Sequence, residues 1–189
     1  MIGYDFDKTI YKRDCSTDFF FYINLTRPYL LIFTPFYLVV FALYGMKIIS
    51  KKKFKELMFF YIPWHKSKIH KIVDKFWEKN ANDILDWYNN QRNEKDVIIS
   101  AGLRFIIEPV ANLLNVKNLI ATNYDINTGK IIGDNCYGQA KVVEFNKFFP
   151  NQTLEAFYSD SRSDVPMMQI SKKGYLVKGN QLTDITGTY

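Results

Sequence analysis

The sequence predicts an α/β fold: a three-layer sandwich with a parallel central sheet, interrupted after its first strand by an all-helical insert. Three observations lead there. Beyond residue 95, short apolar runs (DVIIS, LEAFYS, GYLVKG) alternate with stretches of helical period, the pattern of βαβ units with helices on both faces of a sheet. Between residues 14 and 92 no run alternates with strand period, and everything reads as helix. Ahead of that insert stands one isolated strand-like run, IGYDF at 2–6, which can bury itself only beside the later strands.

Element by element, TDFFFYINLTR is read as a helix capped by Ser16 or Thr17 and stopped before Pro28. Residues 28–46, PYLLIFTPFYLVVFALYGM, carry no charge and predict a helix of about 28 Å. KIHKIVDKFWEKNANDILDWYNNQRN reads as one long amphipathic helix with Ile69, Ile72, Phe76, Ile84, Leu85 and Tyr88 on its apolar side. Then follow strand 96–100, helix FIIEPVANLL, strand NLIATNY leading into a hairpin at Asn127-Thr128-Gly129, and helix QAKVVEFNKFF. Strand 154–159, helix DVPMMQIS and a last strand GYLVKG complete the chain. The implied division is a core of residues 1–13 and 93–189 with a helical cap at 14–92.

At 189 residues the chain suffices for one α/β core with an inserted subdomain. A hydrophobic fraction of 48%, with 16 Phe and 13 Tyr, excludes disorder and exceeds what a core of this size needs. Cys15 and Cys136 form no metal or redox spacing and read as reduced packing residues. His65 and His70, five apart, read as solvated rather than as ligands. A strand beginning at residue 2 argues against a cleavable leader. Charge is uneven: between residues 47 and 75 nine lysines stand against Glu56 and Asp74, a basic belt suited to an anionic surface.

In an open parallel sheet, ligands sit beyond the carboxyl ends of the strands. The polar residues just past the apolar runs are Asp5, Asp7 and Thr9, then Ser100, then Lys141 near a helix start, then Asp160, Ser161 and Asp164. Taken singly, each is an ordinary turn, cap or solvated side chain. Together they put several carboxylates, a hydroxyl and an ammonium on one sheet edge.

These residues resemble the haloacid dehalogenase-like phosphohydrolases: DFDKT matches the first motif, Ser100 in VIISAG the second, Lys141 the third and SDSRSD the acidic fourth. The insert resembles the cap of the phosphoserine phosphatase-like subgroup. The hydrophobic cap, with YSDSRSDVP, is most similar to the phosphatidylglycerophosphatase C type. The resemblance implies a Rossmann-like core and a Mg²⁺-dependent phosphatase working through an aspartyl-phosphate. It implies Asp5 as nucleophile and Asp7 as general acid and base. Ser100, Lys141, Thr9 and Ala101 would hold the phosphoryl group. Mg²⁺ would sit between Asp5, Asp160 and the Asp7 carbonyl, with Asp164 behind. Lys8 and Ser159 depart from the family pattern, where glycine is common. Arg104 reads as exposed helix surface, within reach of a substrate anion.

The segment 28–46 is close to the ~30 Å hydrocarbon thickness, and its apolar residues favour insertion by a few kcal/mol. A single crossing conflicts with Asp5 and Ser100 sharing one site, because the chain between them must return to its starting side. Both flanks, Arg27 and Lys47 with Lys51–Lys53, are basic. The expectation is therefore a bent or interfacial helical pair, with residues 28–75 on the cytoplasmic face of a membrane. The alternatives are an internal cap helix or a greasy dimer interface. The substrate expected is a lipid phosphate such as phosphatidylglycerol phosphate. The rivals are a soluble phosphatase of phosphoserine or polyol phosphate type and a non-catalytic membrane-peripheral protein. Nucleic acid is not expected, since the belt adjoins the most apolar segment.

Overall fold

A computed structural model describes residues 1–189. The strands form a six-stranded sheet in the order β3-β2-β1-β6-β7-β8, where β1 is Gly3–Tyr4, β2 Val97–Leu103, β3 Asn118–Thr122, β6 Phe157–Ser159, β7 Gly174–Lys178 and β8 Gln181–Asp184. Every pairing is parallel except β7 with β8. The predicted α/β sandwich is thus the observed fold. β1 lies at its centre, with Tyr4 opposite Ile98 on one side and Tyr158 on the other. The chain leaves β1 to build β2 and β3 on one flank, then returns to build β6 and β7 on the other. That reversal makes the crevice beyond β1 and β6 the natural ligand site.

Alternation along β2 sorts the core. Val97 and Ile99 face a cluster of 11 buried residues with Phe145 and Met167, while Ile98 faces a larger cluster of 36. The larger cluster joins the sheet face (Tyr4, Phe6) to residues of the helical insert (Phe19, Phe76, Trp77), so the insert shares its core with the sheet instead of burying one of its own. Trp77 adds a 2.6 Å hydrogen bond to the Ile106 carbonyl.

The insert comprises α1 (Cys15–Thr26), α2 (Thr34–Gly45), α3 (Lys51–Met58), α4 (Ile69–Asn80) and α5 (Asp86–Gln91). Four boundaries differ from the sequence reading. The cap of α1 is Asp14, which accepts from the Thr17 N–H at 2.7 Å; Ser16 and Thr17 lie inside the first turn. The uncharged segment is not one α-helix: Pro28–Phe33 winds as a 3₁₀ helix and α2 starts only at Thr34, with Pro35 in its first turn. The long amphipathic helix stops at Asn80, since Ile84 and Leu85 are extended and Ile84 bridges to Tyr11. In β1, only Gly3 and Tyr4 pair on both sides.

Past β2 come α6 (Arg104–Leu113), the predicted hairpin β4 (Tyr124–Asp125) and β5 (Lys130–Ile131), α7 (Gln139–Phe148) and α8 (Val165–Gln169). β8 was invisible to pattern reading, because all four of its residues are exposed. Both cysteines are free and buried. His70 is exposed, whereas His65 is half-buried, 3.1 Å from the Tyr29 hydroxyl.

Candidate active site

Asp5 ends β1, buried, and its Oδ1 accepts from Lys141 Nζ at 2.7 Å. Lys141 is fully buried on the first turn of α7, where Gly138 takes φ +57° and lets the chain turn the lysine inward. The same ammonium reaches Asp164 Oδ2 at 2.7 Å, and that oxygen also accepts from the Ser159 hydroxyl at 2.7 Å. Ser159, which departs from the family glycine, therefore ties the end of β6 to Asp164.

Thr9 is fully buried, and its hydroxyl accepts from the Asp160 N–H at 2.8 Å, fastening the DFDKT loop to the β6 loop. This hydroxyl faces the neighbouring loop, not the cleft. Ser100 is fully buried as well, its hydroxyl accepting from the Gly102 N–H at 3.0 Å. Between Ser100 and Leu103 the register of β2 against β3 shifts, and Ala101 is brought to the cleft wall by that bulge. Asp7 Oδ1 accepts from the Cys15 N–H at 2.7 Å, so Asp7 sits on the N-terminus of the first cap helix, at the junction of core and insert. Lys8 adopts φ +57°, the conformation that makes glycine common at that position.

Electrostatics separate these groups. Burial raises Asp5 to about 6, with Lys141 opposing the rise. Burial raises Asp7 to about 7, and nearby Asp14 adds to the shift. Burial also raises Asp160, which Lys8 partly offsets. For Lys141 burial works against the charge, but Asp5 and Asp164 outweigh it and hold the ammonium above its ordinary range. The floor is thus one firmly charged cation between two carboxylates, beside a second acid able to carry a proton near neutrality.

These side chains line a cleft of about 400 Å³. Asp5, Asp7, Lys141, Asp160 and Asp164 form its floor. The opposite wall comes from the insert: Phe20 of α1, Phe41 and Tyr44 of α2, and Lys51, Phe54, Lys55 and Met58 of α3. Tyr44 stacks on Phe54 at 4.2 Å between centroids. Arg104 is absent from the cleft; it bonds Asn123, Glu108 and the Leu119 carbonyl.

Sequence reading missed the α3 contribution and assigned all nine lysines of the belt to an outer surface. Lys55 is instead buried, bonding the Ala101 carbonyl and Asn135 Oδ1 (2.7 Å). The signal was available. Lys51, Phe54, Lys55 and Met58 follow i, i+3, i+4, i+7 spacing, which puts them on one helix face. α3 is further clamped to the hairpin by Glu56 Oε1, which accepts from the Ile131 N–H at 3.1 Å.

No group of three or more His, Cys, Asp or Glu side chains gathers around one point. A metal would therefore rely on the two carboxylates Asp5 and Asp160 and a main-chain carbonyl, with water and substrate completing its shell. The donor set fits Mg²⁺: it is all oxygen, and the half-buried Asp160 joins no ion pair.

A sequence model of the haloacid dehalogenase-like hydrolases matches residues 2–169, and the chain belongs to that family. A histidinol-phosphatase from Neisseria meningitidis serogroup C (strain 8013) is 29% identical over 89 residues, covering 41% of this chain and 40% of that enzyme. The match thus spans about two-fifths of the curated relative. Among solved structures, a protein of unknown function from Bordetella pertussis Tohama I aligns with TM-score 0.76 at 19% identity, over 92% of this chain and 87% of that one. A phosphoserine phosphohydrolase-like protein from Francisella tularensis SCHU S4 aligns with TM-score 0.52 at 20% identity, over 92% and 84%. A hydrolase of the same family from Salmonella enterica serovar Typhi gives 0.58 at 13%, over 90% and 59%. At such identities the likeness is one of fold.

Proposed function

We propose that the protein removes phosphate from an amphiphilic phosphate monoester presented at the cytoplasmic face of a membrane, with phosphatidylglycerol phosphate as leading candidate. Residues 14–92 serve as the cap and 1–13 with 93–189 as the catalytic core. One observation carries the lipid part: the apolar wall of the cleft continues without a break into an exposed apolar surface. Phe41 lines the cleft and is 46% exposed, and beyond it Leu38 (66%), Val39 (56%) and Ile32 (78%) face outward. Helical residues 28–45 have a mean hydropathy of 1.7, and only 17% of them are buried. Tyr37 and Val40 form the narrow stripe by which α2 rests on the protein. That arrangement suits a helix lying in the interface better than an internal helix, since contiguous exposed apolar area is costly in water.

In the proposed reaction an Asp5 carboxylate oxygen attacks phosphorus, the bond to the leaving oxygen breaks, and Asp7 delivers a proton to that oxygen. Asp7 then takes a proton from water, which attacks the aspartyl-phosphate and releases inorganic phosphate with Asp5 restored. Lys141 holds Asp5 in line and offers charge to the phosphoryl oxygens; Asp164 and Ser159 fix Lys141. Ala101 supplies the cleft wall at the phosphoryl end. The Ser100 hydroxyl accepts from the Gly102 N–H, which leaves its own proton free to donate to a phosphoryl oxygen. Thr9 positions Asp160. Mg²⁺ held by Asp5, Asp160 and the Asp7 carbonyl would neutralise phosphoryl charge.

The test is Mg²⁺-dependent phosphate release from phosphatidylglycerol phosphate in mixed micelles, beside phosphoserine, histidinol phosphate and glycerol phosphate. Asp5→Asn should lose turnover by roughly 10⁴-fold or more while keeping its fold and vesicle binding. Preference for a soluble ester would overturn the lipid assignment, and wild-type turnover by Asp5→Asn would remove Asp5 as nucleophile.

A further inference from the structure

The buried cation of the cleft that the proposed chemistry does not use is Lys55. Its side chain is buried, yet it joins none of the protein's ion pairs. Its two partners are neutral, the Ala101 carbonyl and Asn135 Oδ1. An ammonium has three donors, so one is left without a protein partner, and Lys55 lines the cleft. Asp7 and Asp14 favour its charge only from beyond ion-pair distance, and a buried charge with no ion in contact is costly and is retained only where something offsets it. Lys51, one turn earlier on the same face of α3, also lines the cleft and also joins no ion pair. Its ammonium stands 4.0 Å above the Tyr137 ring. By contrast Lys141, the cation on the floor, is matched by two carboxylates at 2.7 Å.

The geometry points to a second anion-binding subsite on the cap wall, formed by Lys51 and Lys55. It would receive an anionic group carried by the leaving alcohol while the scissile phosphoryl group rests at Asp5. The preferred substrate is then a phosphate monoester whose alcohol bears a further phosphodiester or carboxylate. This deepens the proposed function and rests on its assignment of Asp5 as the reacting end. Phe54 and Tyr44 border Lys51 and Lys55, so the apolar part of an amphiphile would leave past them toward the outer face of α2. A lipid phosphodiester and the carboxylate of a small metabolite share the chemistry that two ammonium groups recognise, and the assay must tell them apart.

The experiment uses the full chain and two matched substrate pairs. The first pair is micellar: phosphatidylglycerol phosphate, whose alcohol carries a phosphodiester, against dodecyl phosphate, which has no second anion. The second is soluble: phosphoserine against glycerol phosphate. For each pair the ratio of kcat/KM is compared among wild type, Lys51→Gln, Lys55→Gln and the double variant. Each single substitution should lower the ratio for the substrate with the second anion by about 10- to 100-fold, chiefly through KM. A fall confined to the micellar pair identifies a lipid phosphodiester, and one confined to the soluble pair identifies a carboxylate. In the latter case the lipid reading fails while the subsite stands. If Lys55→Gln lowers both members of each pair equally through kcat, or if Lys51→Gln leaves every ratio unchanged, the subsite is overturned and Lys55 is a latch on the Ala101 loop. Lys51 is only half-buried and is the first residue of α3, so its variant keeps the test decisive should Lys55→Gln fold poorly.

Discussion

The floor of the cleft and the outer face of α2 are built on opposite principles. On the floor, Lys141, Asp5, Asp164 and Ser159 are buried and closed on one another by three contacts of 2.7 Å. On α2, Leu38 and Val39 are more than half exposed. The first arrangement fixes reacting groups against water and thermal motion, which is how preorganised charge assists phosphoryl transfer. The second leaves apolar area unsatisfied until some other phase covers it. Under the proposed function, chemistry and substrate choice fall to separate layers, joined where Phe41 belongs to both.

The largest effect should come from breaking the floor. Lys141→Met leaves Asp5 and Asp164 buried without their cation, and a loss of about 3–5 kcal/mol in stability near pH 7.5 is expected from urea denaturation. The loss should shrink toward pH 5. Burial already raises Asp5 above its unfolded value, and removing Lys141 takes away the cation that opposes the rise, so its protonated form is favoured and acid relieves the penalty. A variant as stable as wild type at pH 7.5 would show that the triad is not holding the sheet edge together.

A smaller effect is expected from the outer layer. Leu38→Glu with Val39→Glu puts two charges on the exposed face of α2, opposite the Tyr37–Val40 stripe, and touches no group in the cleft. Cosedimentation with anionic vesicles should fall by about 10- to 100-fold, with Tm changed little, because both positions are already solvated. Unchanged vesicle binding would move the docking surface elsewhere. A double variant that instead changes oligomeric state by light scattering would mark this face as a dimer contact.

How far the sequence led differs between the two layers for a physical reason. The parallel sheet was legible because buried strands must be apolar runs and parallel pairing demands helical crossovers, so DVIIS and LEAFYS stood out. Most of the floor was legible because Asp5, Asp7, Asp160 and Asp164 follow such runs and strand ends meet by topology, whereas Lys141, on the first turn of α7, follows no such run and had its role only from the resemblance. What sequence does not encode locally was misjudged. The hydroxyl of Thr9 accepts from the Asp160 N–H and that of Ser100 from the Gly102 N–H, pairings that the spelling of a motif does not specify. The helix expected over 68–93 stops at Asn80, and Ile84 is instead extended and bridged to Tyr11, a tertiary contact that outweighs the helical pattern. The lysine belt was read as one charge because counting ignores direction, although α3 turns Lys55 inward and Lys53 outward.

Lys55 also gives the subtlest way to compare the layers, since it is the one cation of the cap that is buried as deeply as the floor. Burial, with a contribution from Lys51 on the same helix, lowers its pKa to about 8 against the opposing action of Asp7, Asp14 and Cys15. The unfolded lysine keeps its proton to a higher pH, so between about 8 and 10.5 the unfolded state binds more protons and stability rises with pH. Below pH 8 the folded protein bears the full cost of the buried charge. Lys55→Met should therefore stabilise the protein at pH 7 by about 1–2 kcal/mol, once the two lost hydrogen bonds are set against the charge, and the gain should vanish by about pH 10.5. Urea midpoints at pH 7 and pH 10.5 would measure it. A gain at neutral pH would mean that the wild-type lysine is kept against the interest of the fold, as a group held for a ligand should be. Destabilisation at both pH values would instead show that its bonds to Ala101 and Asn135 stabilise the fold by closing the insert onto the sheet.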